Sequence, residues 1–428
     1  MKLWSWLTSS WFPSMFPLAN QQSLPNKRDS SESSDSDDDY FNFWPLCSVP
    51  FVYHEIECRN TLIPRPRSGH RIVADSNGNI YCLGGYNPEG LAREDSPNAL
   101  FKELWKFNIS TLIWTKINMS GDPPRLLCSF GALCIDDMLF VQGGTGVPFG
   151  RAGSNKLYVC QLSTGFWRKY SLKTDNYDVP PKFYGQALVF DPDEMAIYSV
   201  GGTCGHAYHT GVTKINLRNG SAELIYSYNN HENTGSYRHE IALHNKRIYQ
   251  FGGGTQEIDI GFEKVFYFDL SGKCWRFVKT FPDPTHGYPI ARKFHGLVTL
   301  DNFVFIIGGG YINPTGIPVG IDDIWKFNLD TFEWTLICKL SRPIYFHSAA
   351  ISPNGLLTVF GGVQSIQQGN SFRTQRTNSL CTIWLQVPKL GEIAWIAFLN
   401  NCADVTKISQ SQLIDIGVPP SYVNRLIS

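Results

Sequence analysis

Pairs or triplets of glycine recur at nearly even intervals along this chain, and each of them ends an apolar stretch. They begin at Gly84, Gly143, Gly201, Gly252, Gly308 and Gly361, so by subtraction the successive intervals are 59, 58, 51, 56 and 53 residues. The segment "IYQFGGG" (248–254) shows the pattern, because an alternating apolar strand runs directly into residues that weaken strands. A repeat of about fifty residues built from short strands predicts a β-propeller rather than a helical solenoid.

Each glycine motif lies within a unit of the same design. A short turn, often with Arg or Lys and then His, opens a first strand, and the second strand ends at the glycines. An aromatic third strand such as "DIWKFNL" (323–329) follows, and the fourth strands carry Trp114, Trp167, Trp275 and Trp334, with none in the third unit. Tryptophan buries a large area, which suits a wedge between blades. We expect the glycines to be structural, with positive φ and no room for a side chain, since no helix pattern follows them to bind phosphate.

Composition excludes several classes of function. The 428 residues are 43% hydrophobic and 17% charged, which provides enough apolar material for a large core. Lys+Arg and Asp+Glu both number 37, so no net charge favours nucleic acid or an anionic membrane, and no apolar run could span a bilayer. The 11 cysteines lack zinc-type spacing, which favours free thiols in a reducing compartment and predicts no metal and no cofactor. The apolar start of the chain is interrupted by Ser and Pro and lacks a cleavage site, so secretion is not favoured.

The diglycines and the aromatic and Trp-bearing strands resemble kelch repeats, which form β-propellers. We therefore predict an all-β fold, a six-bladed kelch β-propeller over residues 49–388, followed by a short helical tail over 389–428. The sixth unit lacks its fourth strand, and "FVYHEIEC" (51–58) is an alternating segment without another partner, so we expect it to close the last blade. Residues 1–48 include the acidic, Ser-rich "RDSSESSDSDDDY", which predicts a disordered leader. The alternative, a site for an acid-directed kinase, stays open.

The tail changes from strand to helix periodicity. Leu390, Ala394 and Phe398 fall four residues apart within "PKLGEIAWIAFLNNCADV" (388–405). One interpretation is a helix that caps the propeller. The other is a docking element, since the spacing resembles the elongin-binding box of cullin-based ubiquitin ligase receptors, in which a Leu is followed by a small residue or Cys and then an aliphatic residue. Ala394 and Phe398 depart from that pattern.

In a kelch propeller, the turns before first strands and the loops after the diglycines converge on one face. The first-strand turns supply Arg67, Arg125, Tyr184, Tyr237, Arg238, Arg292 and Tyr345, and the later loops supply Tyr86, Thr145, Phe149, His206, Tyr208, Thr255 and Tyr311. Guanidinium and phenol groups around a funnel suit a peptide carboxylate, because Arg offers a planar pair of donors. We therefore predict a degron-binding site formed by Arg238, Arg292, Arg67, Tyr237, Tyr184, Tyr86, Tyr345, Thr255, His206 and Tyr208.

The arginines also have a structural interpretation. Arg67 occupies the usual kelch turn, where Arg often binds backbone carbonyls. Arg238 differs, because Ser236 takes that place and Arg238 directly precedes His239. Arg292 stays a candidate for binding the ligand, after Arg238. The recurring His70, His239, His295 and His347 are interpreted as buried structural residues rather than catalysts.

The six units, the tail, "GGYNP", "GGTGVPFG" and "SYRHEIA" together resemble the kelch domain-containing protein 10 family over about residues 60–428. The resemblance implies a cytoplasmic and nuclear substrate receptor of a cullin-2 ubiquitin ligase. Its partners would be elongin B/C, cullin-2 and client proteins that end in a glycine degron. The alternative is a scaffold that binds and inhibits a protein phosphatase and promotes oxidative-stress kinase signalling. A copper oxidase of the kelch type is not favoured, and neither is any other enzyme, because no copper-site or hydrolase motif is present.

Overall fold

The computed structural model describes residues 48–174, 179–227, 235–368, 371–402 and 404–427. The predicted leader lies almost entirely outside these residues. The first half of the described chain contains β1 (His54–Glu55), β2 (Arg71–Ala74), β3 (Ile80–Leu83), β4 (Leu104–Asn108), β5 (Ile113–Ile117), β6 (Ser120–Gly121), β7 (Gly131–Ile135), β8 (Met138–Gln142), β9 (Leu157–Gln161), β10 (Phe166–Tyr170), β11 (Ala187–Asp191), β12 (Ala196–Thr203), β13 (Tyr208–Asn216) and β14 (Ala222–Tyr226).

The second half continues the same pattern and ends in helices. It contains β15 (Glu240–His244), β16 (Arg247–Phe251), β17 (Lys264–Asp269), β18 (Cys274–Lys279), β19 (Gly296–Leu300), β20 (Phe303–Ile307), β21 (Gly310–Ile312), β22 (Pro318–Gly320), β23 (Asp323–Asn328), β24 (Trp334–Lys339), β25 (Ser348–Ile351), β26 (Leu356–Phe360), β27 (Val363–Gln368), β28 (Ser371–Arg376) and β29 (Leu380–Trp384), then helices α1 (Leu390–Asn401), α2 (Gln410–Asp415) and α3 (Pro420–Ile427).

The strands form six antiparallel blades, which confirms the predicted six-bladed propeller. Blades 1 to 5 take their strands in chain order as β2–β5, β7–β10, β11–β14, β15–β18 and β19-β20-β23-β24, with β6 added in parallel beside β10. In blade 6 the order is β1-β29-β26-β25, so the first described strand supplies the outermost strand of the last blade. His54 lies opposite Thr382 in that pairing. Both ends of the propeller therefore meet in one sheet, which removes an exposed edge between the first and last blades.

The blades pack through interleaved apolar clusters, and the predicted tryptophans lie within or beside them. Trp114, Trp167 and Trp334 are buried to 2% exposure or less, and each contributes to a cluster with a neighbouring blade. Trp275 is half-buried against Phe268, at an inter-ring distance of 5.6 Å. Burial of such large side chains supplies much of the apolar contact between blades.

A closed circle of backbone hydrogen bonds surrounds the central axis. In each blade, one residue just before the first strand donates its N–H to the carbonyl of its counterpart in the preceding blade, at 2.7 to 3.3 Å. All six residues have left-handed φ values, between 55° and 66°. This inner ring consists of Gly69, Ser129, Gly185, Arg238, Phe294 and Phe346.

The diglycines join neighbouring blades and have the positive φ values that the sequence predicts. Every first and second glycine of the six motifs has positive φ, and each second glycine donates its N–H to a carbonyl of the next blade. A Cβ on Gly361 would lie 2.5 Å from the His70 ring, and one on Gly201 would lie 2.6 Å from the His239 ring. A side chain at either position would therefore collide with a buried histidine, so glycine is required for packing as well as for its backbone conformation.

The tail packs on the propeller through one face of α1. Trp395 donates a hydrogen bond from Nε1 to Ser110 Oγ at 3.2 Å, and Ile396 packs with Leu356 and Trp384 of blade 6. Glu392 accepts two hydrogen bonds of 2.8 Å from the guanidinium of Arg425 in α3. The helices are thereby held to each other and to blades 1 and 6. None of the helices in the described part of the chain is long and apolar enough to cross a membrane.

Candidate functional site

The turns before the first strands and the loops after the diglycines converge on one end of the propeller. In each blade, the residue just before the inner ring pairs with a residue at or just after the diglycine through an isolated β-bridge, such as Ser68 with Tyr86 and Tyr345 with Val363. Six such bridges surround the axis. They fix the convergence that kelch geometry predicts, and they bring side chains from distant segments to a common cavity.

The cavity lies above the inner ring and has a volume of about 410 Å³. Four ring residues form its floor, namely Gly69, Ser129, Arg238 and Phe346. Its walls are formed by Ser68, Tyr86, Cys128, Phe149, Tyr184, Tyr237, Pro318, Tyr345, Val363, Thr374 and Arg376. No carboxylate is among these lining residues, whereas two guanidinium groups are. The cavity is therefore aromatic and cationic.

Arg238 is the most unusual residue of the floor. It is 7% exposed, and its Nη2 donates to the hydroxyl of Ser129. Its guanidinium carbon lies 4.8 Å from the centre of the Phe346 ring, while its buried Nε has no hydrogen-bond partner among the described residues. No carboxylate forms an ion pair with Arg238 in the described structure. A buried cation without a counterion is costly, so an anionic ligand would be bound strongly here.

Arg376 is the second cation of the cavity, and the repeat pattern did not predict it. It ends β28, in a hairpin inserted within blade 6, 15 residues after Gly361 by subtraction. Its Nε donates to Ser68 Oγ at 3.1 Å, its Nη1 lies 3.5 Å from Glu89, and it lies over the Tyr86 ring at 4.9 Å. Arg376 contacts Ser68, and Arg238 lies beside the next residue, since a Cβ added at Gly69 would be 3.3 Å from Arg238 Nη2. The guanidinium groups of Arg376 and Arg238 therefore flank the same turn.

Aromatic side chains line the rest of the cavity. Tyr86 and Phe149 meet edge to face at 4.9 Å, and Tyr184 meets Tyr237 in the same way at 5.8 Å. Burial raises the pKa of Tyr184 to about 12, and it raises the pKa of Tyr237 and Tyr345 as well. These phenols therefore stay neutral at physiological pH and can donate hydrogen bonds to an anion.

Arg67 and Arg292 are corrections to the predicted site, because neither lines the cavity. Both are fully buried. Arg67 donates to Glu103 at 2.7 Å and to the Gly84 carbonyl at 2.8 Å. Arg292 is paired with Asp323 and donates to the Gly308 carbonyl at 3.0 Å. These guanidinium groups anchor the diglycine turns, so the structural interpretation applies to both of them.

The remaining predicted residues divide into two groups. Tyr86, Tyr184, Tyr237 and Tyr345 line the cavity together with Arg238 and Phe149. Thr255 lies outside it and uses its hydroxyl to accept hydrogen bonds from Glu257 and Ile258 in its own turn. His206 is exposed beside Cys204. Also outside the lining are Tyr208, whose ring lies 6.2 Å from that of Tyr237, and Arg125, Thr145 and Tyr311.

A second candidate surface lies on the tail. Leu390 is 81% exposed, Ala394 is exposed, and Phe398 is half-buried against Trp395, so these three residues form an apolar seam that is partly open to solvent. We call them the tail seam. α1 packs through Trp395, Ile396 and Leu399, in agreement with a helix that caps the propeller. Docking of a partner on the tail seam stays a prediction.

Comparison with known proteins agrees with this architecture. The model of the KLHDC2/KLHL20/DRC7 Kelch-repeats domain matches residues 51–177 and 146–362. Kelch domain-containing protein 10 of Rattus norvegicus is 36% identical over 375 residues, which cover 85% of this chain and 86% of that protein. The chain belongs to the kelch domain-containing protein 10 family.

Family similarity extends across distant animals. The Xenopus laevis protein of the same name is 37% identical over 373 residues, covering 85% of this chain and 86% of the relative. The Drosophila melanogaster homolog of kelch domain-containing protein 10 is 34% identical over 412 residues, covering 90% of this chain and 66% of the relative. A kelch propeller with a cationic, aromatic cavity supports a protein-binding role for this member of the kelch domain-containing protein 10 family.

Proposed function

We propose that this chain is the substrate-recognition subunit of a cullin-2–elongin ubiquitin ligase in the cytoplasm and nucleus, and that it binds the C-terminal glycine of client proteins in the cavity. The observation that carries the proposal is the buried guanidinium of Arg238, which has a free Nε and no carboxylate partner among the described residues. A peptide carboxylate would supply the missing charge and accept charge-assisted hydrogen bonds. The chain itself would contribute binding and no catalytic group.

The closed floor favours the end of a peptide over an internal segment. Arg71 of blade 1 donates to Glu240 of blade 4 at 2.7 Å. These blades lie opposite each other in a six-bladed ring, so their ion pair crosses the central channel. An extended chain entering from above would therefore meet a closed floor. A Cβ added at Gly69 would lie 2.8 Å from Cys128 Sγ and 3.3 Å from Arg238 Nη2, so the floor is crowded beside Arg238. A terminal glycine suits such a floor because it has no side chain.

Peptide titration tests this function. A fluorescein-labelled peptide that ends in a glycine carboxylate is expected to bind at least tenfold more tightly than its C-terminal amide, since the amide loses about 1.5–3 kcal/mol of charge-assisted interaction. A peptide with one residue added after the glycine is expected to lose binding as well. Fluorescence polarisation with purified protein measures all three. Equal affinities would exclude carboxylate recognition and favour the scaffold that holds a phosphatase.

The tail seam supports the elongin part of the proposal. Leu390→Arg places a charge in an apolar contact, so we expect elongin B/C association to fall by more than tenfold if the seam is buried in that partner. Because Leu390 is 81% exposed, the melting temperature of the isolated protein should stay within about 2 °C. Co-purification and thermal melting check the two expectations.

The matched control is Ile290→Arg, which changes an isoleucine that is 55% exposed on the propeller. This variant should keep elongin association. Retained association of Leu390→Arg would contradict docking through the seam, and unfolding of Leu390→Arg would show that the seam serves only to cap the propeller.

A further inference from the structure

An ion pair lies directly beneath the floor of the cavity and joins the two segments that carry its anion-binding groups. Arg71 is the first residue of β2, and Glu240 is the first residue of β15. Their side chains are 17% and 15% exposed, and they meet across the channel at 2.7 Å. An ion pair between opposite blades is not needed to hold adjacent blades together, since the inner ring and the diglycine hydrogen bonds already do so.

Hydrogen bonds and short stretches of chain link this ion pair to Arg238 and Ser129. Arg71 Nε also donates to the Phe130 carbonyl at 3.1 Å. Phe130 follows Ser129, the hydrogen-bond partner of Arg238, and Glu240 follows Arg238 by two residues. Arg71 therefore contacts Phe130 and Glu240, which lie one and two residues after Ser129 and Arg238 in the chain. One guanidinium lies under the floor and the other lies within it.

Glu240 lies two residues after Arg238 in the chain, and its carboxylate pairs with Arg71 rather than with Arg238. A largely buried carboxylate is stabilised by a neighbouring cation, because an unpaired charge shielded from water is disfavoured. Arg71 satisfies Glu240 and so leaves the charge of Arg238 available. Without Arg71, the nearest remaining guanidinium on the same segment would be that of Arg238.

We propose that Arg71 is a positioning residue that keeps Glu240 away from Arg238, so that Arg238 remains free for the carboxylate of a client. The inference rests on the proposed function, since it assigns Arg71 a role in the same site. Arg71 itself does not line the cavity. It acts through Glu240, so removing the charge of Arg71 should weaken peptide binding, whereas removing the charge of Glu240 should not.

The test compares three variants with a glycine-ended peptide carboxylate. Arg71→Met keeps the length of the side chain and removes the charge, and it should weaken peptide binding by about tenfold or more as Glu240 competes for Arg238. Glu240→Gln removes the competitor, so its affinity should equal or exceed that of the unchanged protein. The double variant should recover to within about threefold, because the two effects belong to one coupled unit.

A purely structural role predicts a different pattern. Both single variants would then weaken binding in parallel with lost stability, and the double variant would not recover. Either result would overturn the proposal. If Arg71→Met fails to fold, Glu240→Gln and the double variant decide, since a loss of affinity greater than about threefold in either one contradicts the proposed role.

The matched control is the ion pair of Lys246 with Asp191, which joins blades 4 and 3 at 3.0 Å. Lys246 follows β15, whereas Arg238 precedes it, so this pair lies at the other end of the strand. Lys246→Met should lower stability without changing peptide affinity. Failure of the proposed function is recognised separately, because the unchanged protein would then bind the peptide carboxylate and its amide equally.

Discussion

Replacing Arg238 by alanine is expected to weaken a glycine-ended peptide by tenfold to a hundredfold. The change removes a charge-assisted interaction of about 1.5–3 kcal/mol, which corresponds to that range of affinity. In the variant, the peptide carboxylate and its amide should bind alike, because the mutation and the amidation delete the same interaction and their losses do not add. Fluorescence polarisation of both peptides against both proteins gives the four affinities required.

Two further arginines serve as controls for the Arg238 prediction. Arg373 is exposed on β28 and does not line the cavity, so Arg373→Ala should leave affinity nearly unchanged. Arg376→Ala should cause a smaller loss than Arg238→Ala, because Arg376 already interacts with Ser68 and Glu89. An Arg238→Ala variant that still prefers the carboxylate over the amide would show that another group binds the peptide terminus.

Acid is expected to destabilise the propeller strongly, through four histidines buried beside the diglycines. Burial lowers the pKa of His239 and of His347 from 6.5 to about 4, and it lowers the pKa of His70 and of His295 well below 6.5. Between about pH 6.5 and pH 4, the unfolded chain therefore binds protons that the folded protein does not bind. Their contribution to stability is present above pH 6.5 and is lost as the pH falls.

The magnitude follows from the number of histidines. At pH 5, His239 and His347, whose pKa in the folded protein is about 4, each lower the free energy of unfolding by about 2 kcal/mol relative to pH 7, so the two together lower it by about 4 kcal/mol. His70 and His295 act in the same direction, so a marked loss of stability between pH 7 and pH 5 is expected. Urea denaturation followed by tryptophan fluorescence at pH 7, 6 and 5 measures it.

Single substitutions assign the acid effect to these residues. His239→Gln should reduce the fall between pH 7 and pH 5 by about 2 kcal/mol. His206→Gln, which removes an exposed histidine, should leave the fall unchanged. A free energy of unfolding that stays constant from pH 7 to pH 5 would contradict the prediction.

The fold could be predicted from the repeat, because each diglycine reflects a requirement of the backbone at that position. Each diglycine needs positive φ and an absent side chain, and both requirements are visible as glycine in the sequence. The same register placed Arg238 one position before a buried histidine, where no other blade carries a charge. Its place at the cavity floor agrees with that register, whereas its role in binding a ligand stays a prediction.

The error over Arg67 and Arg292 has a different cause, since their partners lie in another strand. Glu103 and Asp323 each stand four residues before a buried third-strand phenylalanine. In blade 4, the corresponding positions hold Ser236 and Lys264. Arginine at the turn thus occurs together with an acid in the third strand. Alignment of the repeat units with one another therefore indicates the Arg67–Glu103 and Arg292–Asp323 ion pairs. Arg376 could not be found in this way, because the corresponding hairpin of blade 5, β21–β22, carries Gly320 at the equivalent position and so shows no recurring arginine.

The circle of left-handed residues around the axis separates ligand choice from folding. Their backbone atoms make the hydrogen bonds, so the closure does not depend on which side chain each position carries. The present set contains two glycines, a serine, an arginine and two phenylalanines, and four of these six form the cavity floor. An evolving kelch propeller could therefore exchange one residue at positions 129, 238 or 346 and alter the charge or shape of the cavity floor while every strand pairing stays the same. Divergence of binding specificity among such propellers needs no change of scaffold, only substitutions at these inner positions.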